Sequence, residues 1–311
     1  MPNRTVAPLV LLALLALAGS LASACARSSS PDSSDGPKLD STTIARDTAV
    51  SGPTAVPSGT LMLVGGTART YLYRRFVQLA GGNSAQIVVV PTAKAMVGED
   101  GTVTARQQLL EAGAHVNDVT VLHTRDPAVA DTDSFVAPLD SATAVWFGGG
   151  RQWRLVKTYV GTQTLEGFRS VLKRGGVIGG SSAGATIQGS FLVRGDTASN
   201  QIMMGDYQEG FGFLSQSAVD QHVLARNRGY DLIPVIEAHP RLLGIGIDEN
   251  TAVVIRGDTM RVVGKSKVAI YDHRRWTRAD GTLPADEKFF FLEPGDRFDL
   301  RTRRKRAARS P

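Results

Sequence analysis

Short runs of residues that are apolar on both faces recur along the middle of the chain, and segments with a helical pattern separate them. The runs span 60–64, 86–90, 119–122, 144–147 and 177–180, and helical segments pass through Tyr73 and Leu79 and span 105–112 and 165–173. Strands that are apolar on both faces and alternate with helices form parallel sheets covered on both sides. The pattern predicts an α/β fold, a three-layer sandwich around a mostly parallel central sheet. Later runs at 251–255, 260–263 and 268–271 predict antiparallel strands at one end.

The run at 177–180 leads into Gly180-x-Ser182-x-Gly184, which helix-compatible sequence follows. This is the layout of a nucleophile elbow, in which a serine stands at a sharp strand-to-helix turn. Glycines two residues to either side let the neighbouring chain pass without a Cβ clash. The amide of the next residue, Ala183, then points to where an oxyanion would form. A tight packing turn in an α/β protein would give the same pentapeptide, so both interpretations stay open here.

His222 is the histidine whose neighbours best suit a partner for the elbow serine. It lies in a polar segment that indicates the start of a helix, and the arginine pair Arg226 and Arg228, which suits a carboxylate, follows it. The other four histidines are expected at the surface or in packing. Asp248 and Glu249, after a further apolar run, offer an acid to orient the imidazole. The order serine, histidine, acid is compatible with a triad because triads are defined by geometry.

Three spaced motifs together resemble the cyanophycinase and dipeptidase E-like family of serine peptidases, peptidase family S51. The motifs are 180–185, 220–228 and 244–249, and the resemblance covers roughly residues 60–272. It implies a fold like that of class I glutamine amidotransferases, with serine in place of the usual nucleophilic cysteine. It also implies Ser182 as the nucleophile, His222 as the general base and Glu249 as the orienting acid.

The resemblance further implies an oxyanion hole and a set of substrate-binding residues. Segment 147–152 is similar to the family's Gly-Gly-x-Gln loop, so the amides of Gly150 and Ala183 would hold the oxyanion. The substrate-binding residues that it implies are Gln152, Asp220, Gln221, Arg226 and Arg228. Two positions depart from the family pattern: Arg151 replaces a smaller acidic or amide residue, and Asp231 stands where an arginine is usual. The second departure puts cyanophycin itself in doubt as the substrate.

These features predict an exported serine peptidase that hydrolyses aspartyl or isoaspartyl peptide bonds, with cyanophycin or isoaspartyl peptides as substrates. Two alternatives stay open. One is a catalytically silent, envelope-tethered binding protein of the same fold, and the other is an α/β-hydrolase esterase, in which the acid normally precedes the histidine. The proposed chemistry needs no cofactor, and the sequence has no metal-ligand spacing. A homodimer also stays open.

Length and charge limit the number of domains and the kind of partner that the chain can have. The chain has 311 residues, of which 42% are hydrophobic, so residues 59–300 suffice for one globular domain. The net charge is +6, and residues 301–311 supply six cations and no anion, so the rest of the chain is neutral overall. We therefore predict that 301–311 form a basic disordered tail and that the domain does not bind nucleic acid.

The N-terminal residues predict export. Residues 1–24 contain Arg4, an apolar stretch at 6–17 and small residues before Cys25, which is typical of a signal peptide. Cys25 is the only cysteine and stands where a bacterial lipobox has its lipid-bearing thiol, although Ala22 replaces the favoured leucine. Residues 25–58 are expected to form a flexible linker because they contain little apolar surface. We expect the protein in the cell envelope or periplasm, lipid-anchored through Cys25 with membrane attachment, or otherwise secreted.

Overall fold

A computed structural model describes residues 54–97, 104–278 and 281–306. The predicted signal peptide, Cys25 and most of the predicted linker lie outside these residues, as do 307–311. Within the described ranges, the helices are all too short or too polar to cross a membrane.

Strands and helices alternate in the first half of the described chain, and strands predominate in the second half. The strands are β1 (Val56–Val64), β2 (Ile87–Val90), β3 (Val119–Val121), β4 (Ala144–Phe147), β5 (Val177–Ser181), β6 (Gly189–Phe191), β7 (Leu214–Gln221), β8 (Leu243–Ile247), β9 (Thr251–Gly257), β10 (Thr259–Gly264), β11 (Val268–Asp272), β12 (Thr277–Arg278), β13 (Gly281–Thr282), β14 (Phe289–Leu292), β15 (Arg297–Asp299) and β16 (Arg304–Arg306). The helices are α1 (Thr70–Leu79), α2 (Thr104–Glu111), α3 (Pro127–Ala130), α4 (Asp133–Val136), α5 (Pro138–Ser141), α6 (Trp153–Tyr159), α7 (Gln163–Lys173), α8 (Ala183–Thr186) and α9 (Leu232–Ala238). The five early apolar runs form β1 to β5, and the predicted helical segments form α1, α2 and α7.

The larger sheet has nine strands in the order β16-β15-β10-β9-β1-β5-β4-β2-β3. The strands β1, β5, β4, β2 and β3 run parallel, whereas β9, β10, β15 and β16 pair antiparallel. The sheet is therefore mixed, and the expectation of a mostly parallel central sheet is met only in the part formed by β1 to β5. Connections explain the difference, because the tight turn between β9 and β10 can only return the chain antiparallel, whereas helices separate the parallel strands.

A second sheet has five strands in the order β14-β11-β8-β7-β6. In it β6, β7 and β8 run parallel, and β11 and β14 add antiparallel strands. The apolar run at 268–271 forms β11, so it belongs to this second sheet and not to the end of the first, where the sequence pattern had placed all three late strands.

Side chains of the parallel strands point alternately to the two faces of the sheet, and each face has its own hydrophobic core. In β2, Val88 and Val90 belong to one cluster of buried side chains, with Phe168 of α7. Ile87 and Val89 belong to another cluster, which also contains residues of α1 and α2. Successive side chains of a strand point to opposite faces, so this division means that helices cover both sides. This packing holds the parallel strands together, so their carboxyl ends lie along one edge of the sheet.

The chain beyond residue 300 continues the folded domain, contrary to the prediction of a disordered tail from 301. Residues 304–306 form β16, which pairs with β15. Arg303 is buried, and its Nη1 donates to Asp272 at 2.9 Å. Arg306 forms ion pairs with Asp258 and Asp299. Cations of this segment therefore neutralise carboxylates of the domain, a pairing between distant residues that local composition does not reveal.

Candidate active site

Ser182 lies at a sharp turn between β5 and α8. Its backbone has φ 57° and ψ −115°, which is strained for a residue that carries a side chain. The flanking glycines make the turn possible: a Cβ on Gly180 would overlap the carbonyl of Gly184, and a Cβ on Gly184 would overlap the carbonyl of Phe147. The turn therefore has the strand-turn-helix context of a nucleophile elbow.

His222 directly follows the last residue of β7. The sequence pattern indicated the start of a helix here, but the segment ends a strand, and the next helix begins only at Leu232. The backbone of His222 has φ 57°, and its N–H donates to the carbonyl of Gly65 at 2.9 Å. Gly66 packs so closely against the imidazole that a Cβ there would overlap the ring. The loop after β1 therefore fixes both the backbone and the ring of His222.

A chain of hydrogen bonds joins Ser182, His222 and Glu249, and we call it the relay. The Oγ of Ser182 lies 2.9 Å from Nε2 of His222. The Nδ1 of the same ring lies 2.6 Å from Oε1 of Glu249. The other carboxylate oxygen of Glu249 accepts a hydrogen bond of 2.6 Å from the hydroxyl of Thr67. The carboxylate is therefore held on both sides, and it holds the imidazole toward the serine.

The ionisation of the relay follows from its surroundings. Hydrogen bonds from Thr67 and His222 hold the pKa of Glu249 below its usual value, although partial burial opposes them. Burial lowers the pKa of His222, and the cation of Arg226 adds to this effect, whereas the bond to Glu249 opposes it. An ionised carboxylate only accepts hydrogen bonds, so Nδ1 of His222 donates to it. The unprotonated Nε2 is then free to accept the proton of the Ser182 hydroxyl, as a general base requires.

The carboxyl ends of four parallel strands open into a cleft of about 620 Å³ that contains the relay serine and histidine. Ligands of open α/β sheets bind outside the carboxyl ends of the strands. The cleft is lined by Thr67, Ala68, Arg69, Thr70, Tyr73, Pro91, Lys94, Thr104, Ala105, Gln108, Trp146, Gly148, Gly149, Ser181, Ser182, His222 and Arg226. Across the described ranges, no group of three or more His, Cys, Asp or Glu side chains comes together to hold a metal ion.

Two backbone segments that were expected to form the oxyanion hole border Ser182. Ala183 is the first residue of α8, and the first N–H groups of a helix have no acceptor within the helix. Gly149 lies on the cleft wall, where a Cβ would be 3.6 Å from Cβ of Ser182. Gly150 packs at its α-carbon against the backbone of Ala93. The N–H of Gly150, however, is part of the peptide group that joins Gly149 to Gly150. The peptide between the two glycines therefore borders the serine.

Three of the residues expected to bind substrate are buried away from the cleft wall. Gln152 is fully buried, and its Nε2 donates to the carbonyl of Val193 at 2.8 Å. Nη1 of Arg228 donates to both the side-chain and the backbone oxygen of Gln221, and both residues are buried. These contacts contradict the expectation that Gln152, Gln221 and Arg228 face the substrate. Arg226, by contrast, is exposed and lines the cleft.

Asp220 is also withdrawn from the cleft, because it belongs to what we call the buried ionic network: Arg194, Asp220 and Asp231. Nε and Nη2 of Arg194 donate to the two oxygens of Asp220 at 2.8 and 2.9 Å, and Nη2 also donates to Asp231. Both side chains of the first pair are fully buried. Asp231 therefore faces Arg194, and its departure from the family pattern concerns this network. Sequence reasoning missed Arg194 because it lies in an irregular segment without a motif.

Among the cleft residues that were not predicted from the sequence are Thr67, Arg69 and Lys94. Each follows a strand of the parallel part of the sheet, the first two after β1 and the third after β2. A usable signal existed, because the carboxyl ends of parallel strands converge on one edge and polar residues just beyond them meet there.

Comparisons with known proteins identify the family of this chain. The family model described as Peptidase family S51 matches residues 61–263. A cyanophycinase from Synechococcus elongatus is 32% identical over 260 residues, which cover 78% of this chain and 80% of the relative. A cyanophycinase from Geminocystis herdmanii is 30% identical over 243 residues, which cover 74% of this chain and 88% of the relative. The crystal structure of a peptidase from an acI-B1 Actinobacterium superposes with a TM-score of 0.58 at 24% identity, over 79% of this chain and 98% of that structure.

The fold and the matched region define a peptidase with an α/β architecture. The chain belongs to peptidase family S51 and is similar to cyanophycinases. The resemblance found in the sequence is thereby confirmed.

Proposed function

We propose that the protein is a serine peptidase that hydrolyses aspartyl or isoaspartyl peptide bonds, with Ser182, His222 and Glu249 as its catalytic residues. The relay at the cleft is the observation that carries this proposal. A serine, a base within hydrogen-bonding reach and a third group that orients the base form the arrangement that activates a hydroxyl nucleophile. Membership of family S51 supports the same conclusion.

The proposed mechanism of amide hydrolysis assigns each step to a group of the site. Ser182 Oγ attacks the carbonyl carbon while its proton passes to Nε2 of His222, and the Ala183 amide and the peptide between Gly149 and Gly150 stabilise the oxyanion. As the C–N bond breaks, His222 returns the proton to the leaving amine, and an acyl-enzyme remains. Water then attacks the ester, with His222 as base, and regenerates the serine. Glu249 stabilises the imidazolium that forms in both steps.

The cleft also supports the choice of substrate. An aspartyl or isoaspartyl bond has a carboxylate beside the scissile carbonyl, and Arg226 supplies a cation on the wall that also contains His222. Charge-assisted hydrogen bonds between arginine and carboxylate are among the stronger polar contacts in proteins. The relatives named cyanophycinase make cyanophycin a substrate to be tested in parallel.

Labelling and hydrolysis together test this function. A fluorophosphonate probe should label the wild-type protein and should not label Ser182→Ala. A panel of isoaspartyl dipeptides, N-terminal aspartyl dipeptides and cyanophycin should show release of product from at least one member. A wild-type protein that is not labelled and cleaves nothing in the panel would be a silent binding protein, and the proposal would be wrong.

We also propose that the protein is exported and anchored to a membrane through Cys25. The small residues before this lone cysteine and the apolar stretch before them support the proposal. A single lipid chain binds membranes only marginally, so stable attachment needs a second signal. Wild-type protein should therefore sediment at least partly with membranes, and Cys25→Ser should be released or stay unprocessed. Recovery of all wild-type protein in the soluble periplasmic fraction would refute the anchor.

A further inference from the structure

The charged side chains that line the cleft are all cations within the described residues. Arg69 lies in the loop after β1, Lys94 in the loop after β2, and Arg226 follows β7. No aspartate or glutamate of the described ranges lines the cleft beside them. A cleft lined by one sign of charge concentrates ligands of the opposite sign.

These cations are also available to a ligand. The ion pairs formed among the described residues do not include Arg69, Lys94 or Arg226. Lys94 donates from Nζ to the hydroxyl of Thr104 at 3.0 Å, which positions the ammonium without neutralising it. Arg69 is exposed at the start of α1.

The loop that carries Lys94 is held by further cations. Arg125 donates to the carbonyls of Lys94 and Ala95, and Arg154 donates to the carbonyl of Ala93 at 2.9 Å. Burial lowers the pKa of Arg154, and repulsion from Arg125 and Arg151 lowers it further. The loop is therefore fixed in place by guanidinium groups, and these groups add to the positive potential near the cleft.

Among the described residues around the relay, Asp220, Asp231 and Glu249 already have partners within the protein and are not free for a guanidinium on a substrate. Asp220, the acid expected to face the substrate, forms paired bonds with Arg194 and is fully buried. Asp231 contacts the same arginine. Glu249 holds His222 and Thr67. These three acids are thus paired within the protein.

We propose that Arg69 and Lys94 bind carboxylates of the substrate, and that the enzyme selects isoaspartyl peptides with a further acidic side chain over those with an arginine. This inference rests on the proposed peptidase function and narrows its substrate class. Arg69 and Lys94 meet the substrate on the wall formed by the loops after β1 and β2. A substrate arginine in the same cleft would be repelled by Arg69, Lys94 and Arg226.

Binding measurements on the Ser182→Ala protein test the charge preference without turnover. The probes are three isoaspartyl dipeptides that differ in one side chain: β-Asp-Glu, its neutral counterpart β-Asp-Gln, and β-Asp-Arg. Calorimetric titration at low, fixed ionic strength should give the lowest Kd for β-Asp-Glu and the highest for β-Asp-Arg. Adding Arg69→Gln or Lys94→Gln should raise the Kd of β-Asp-Glu about tenfold, since each removes one charge-assisted contact.

Arg74→Gln is the matched control, because Arg74 is an exposed arginine of α1 that does not line the cleft. It should change each Kd by less than about twofold, as expected where long-range charge is screened. Arg69→Glu should go further and reverse the preference, so that β-Asp-Arg binds better than β-Asp-Glu. Equal Kd values for the three dipeptides, or Arg69→Gln and Lys94→Gln values equal to those of Arg74→Gln, would overturn the inference.

Turnover by the wild-type enzyme separates the two proposals. Equal kcat/KM for the three dipeptides would overturn the charge preference while the peptidase function stands. Failure to cleave any of them, together with failure of the fluorophosphonate probe to label Ser182, would contradict the proposed function itself.

Discussion

The buried ionic network and the relay lie side by side and use similar residues to different ends. Asp220 and His222 are two positions apart at the end of β7, and each forms strong polar contacts with a residue distant in sequence. The network pair Arg194–Asp220 is fully buried, whereas 31% of the Glu249 side chain is exposed and Ser182 lines the cleft. Complete pairing in the interior leaves no group free to react. The relay ends in a hydroxyl that a substrate can reach.

Burial and pairing, more than residue type, therefore distinguish structural charges from reactive ones. A buried ion pair resists change because removing one partner leaves the other charge unpaired in a medium of low dielectric. A relay that opens into a cleft tolerates truncation of its end, because water replaces the missing group. Mutations in the two regions should therefore affect different measurements.

The largest effect is expected in the relay. Ser182→Ala and His222→Ala should each lower kcat by about 10⁴ or more, and the double mutant should be little worse than either, because the two residues act as a unit. Thermal unfolding should change little in Ser182→Ala. Steady-state kinetics on the best dipeptide measure this, and losses that multiply in the double mutant would show that the two residues act independently.

The next largest effect is expected in the network, and it concerns stability. Arg194→Met leaves two carboxylates without their cation, so the free energy of unfolding should fall by about 3–5 kcal/mol. Denaturant titration measures this change. The control is Arg169→Met, which removes an exposed pair with Glu166 and should cost less than about 1 kcal/mol.

Asp231→Arg tests the same network from its other side. Sequence comparison alone would present this change as restoring the family's arginine, but the structure places it against Arg194. Two guanidinium groups would then repel each other beside Asp220, so the change should destabilise the fold and should not improve cleavage of cyanophycin. For the earlier variant, a free energy of unfolding of Arg194→Met equal to that of Arg169→Met would show that the network does not stabilise the fold.

A smaller effect is expected at Thr67, which connects the β1 loop to the relay. Thr67→Val keeps the shape of the side chain but removes the hydroxyl that donates to Glu249 at 2.6 Å. The loss of one hydrogen bond to a charged group should lower kcat about tenfold, with KM nearly unchanged. Thr67→Ser retains the hydroxyl and should retain most of the activity. Equal kcat values for the valine and serine variants would show that this bond does not position Glu249.

The smallest effect is a shift in pH dependence. Arg226 contributes to the lowered pKa of His222, so Arg226→Gln should raise this pKa. His222 acts as a base only when neutral, and a raised pKa means that it becomes protonated at a higher pH. The acid limb of kcat/KM should therefore move to higher pH in Arg226→Gln and should stay in place in Arg74→Gln. A limb that does not move would mean that the field of Arg226 is screened from the imidazole.

The sequence predicted the parts of the fold and site that depend on local pattern. Runs apolar on both faces identified β1 to β5, and the spacing of two glycines around Ser182 identified its turn. The late runs also indicated β9, β10 and β11 as antiparallel strands, but β15, β16 and the division into two sheets were not predicted, because period and turn residues do not specify which strands pair. That choice is made by contacts between segments far apart in sequence.

The same limit explains the errors at the site. Asp220, Gln221 and Arg228 stand close to His222 in sequence, but Asp220 pairs with Arg194, and Arg228 donates to Gln221, in the interior. Conversely, Arg69 was overlooked because an exposed arginine before a helix has no local signature. Proximity in sequence pointed to the end of β7, but which side chains face the cleft depends on partners elsewhere in the chain.

The pairing of β16 with β15 has a practical consequence for handling this protein. A shortened chain that stops at residue 300 would remove β16 and the guanidinium of Arg303, leaving the buried carboxylate of Asp272 with one fewer partner. Affinity tags and fusion partners should therefore be joined beyond Arg306. Expression trials that compare chains ending at 300 and at 306 should yield soluble material mainly from the longer one.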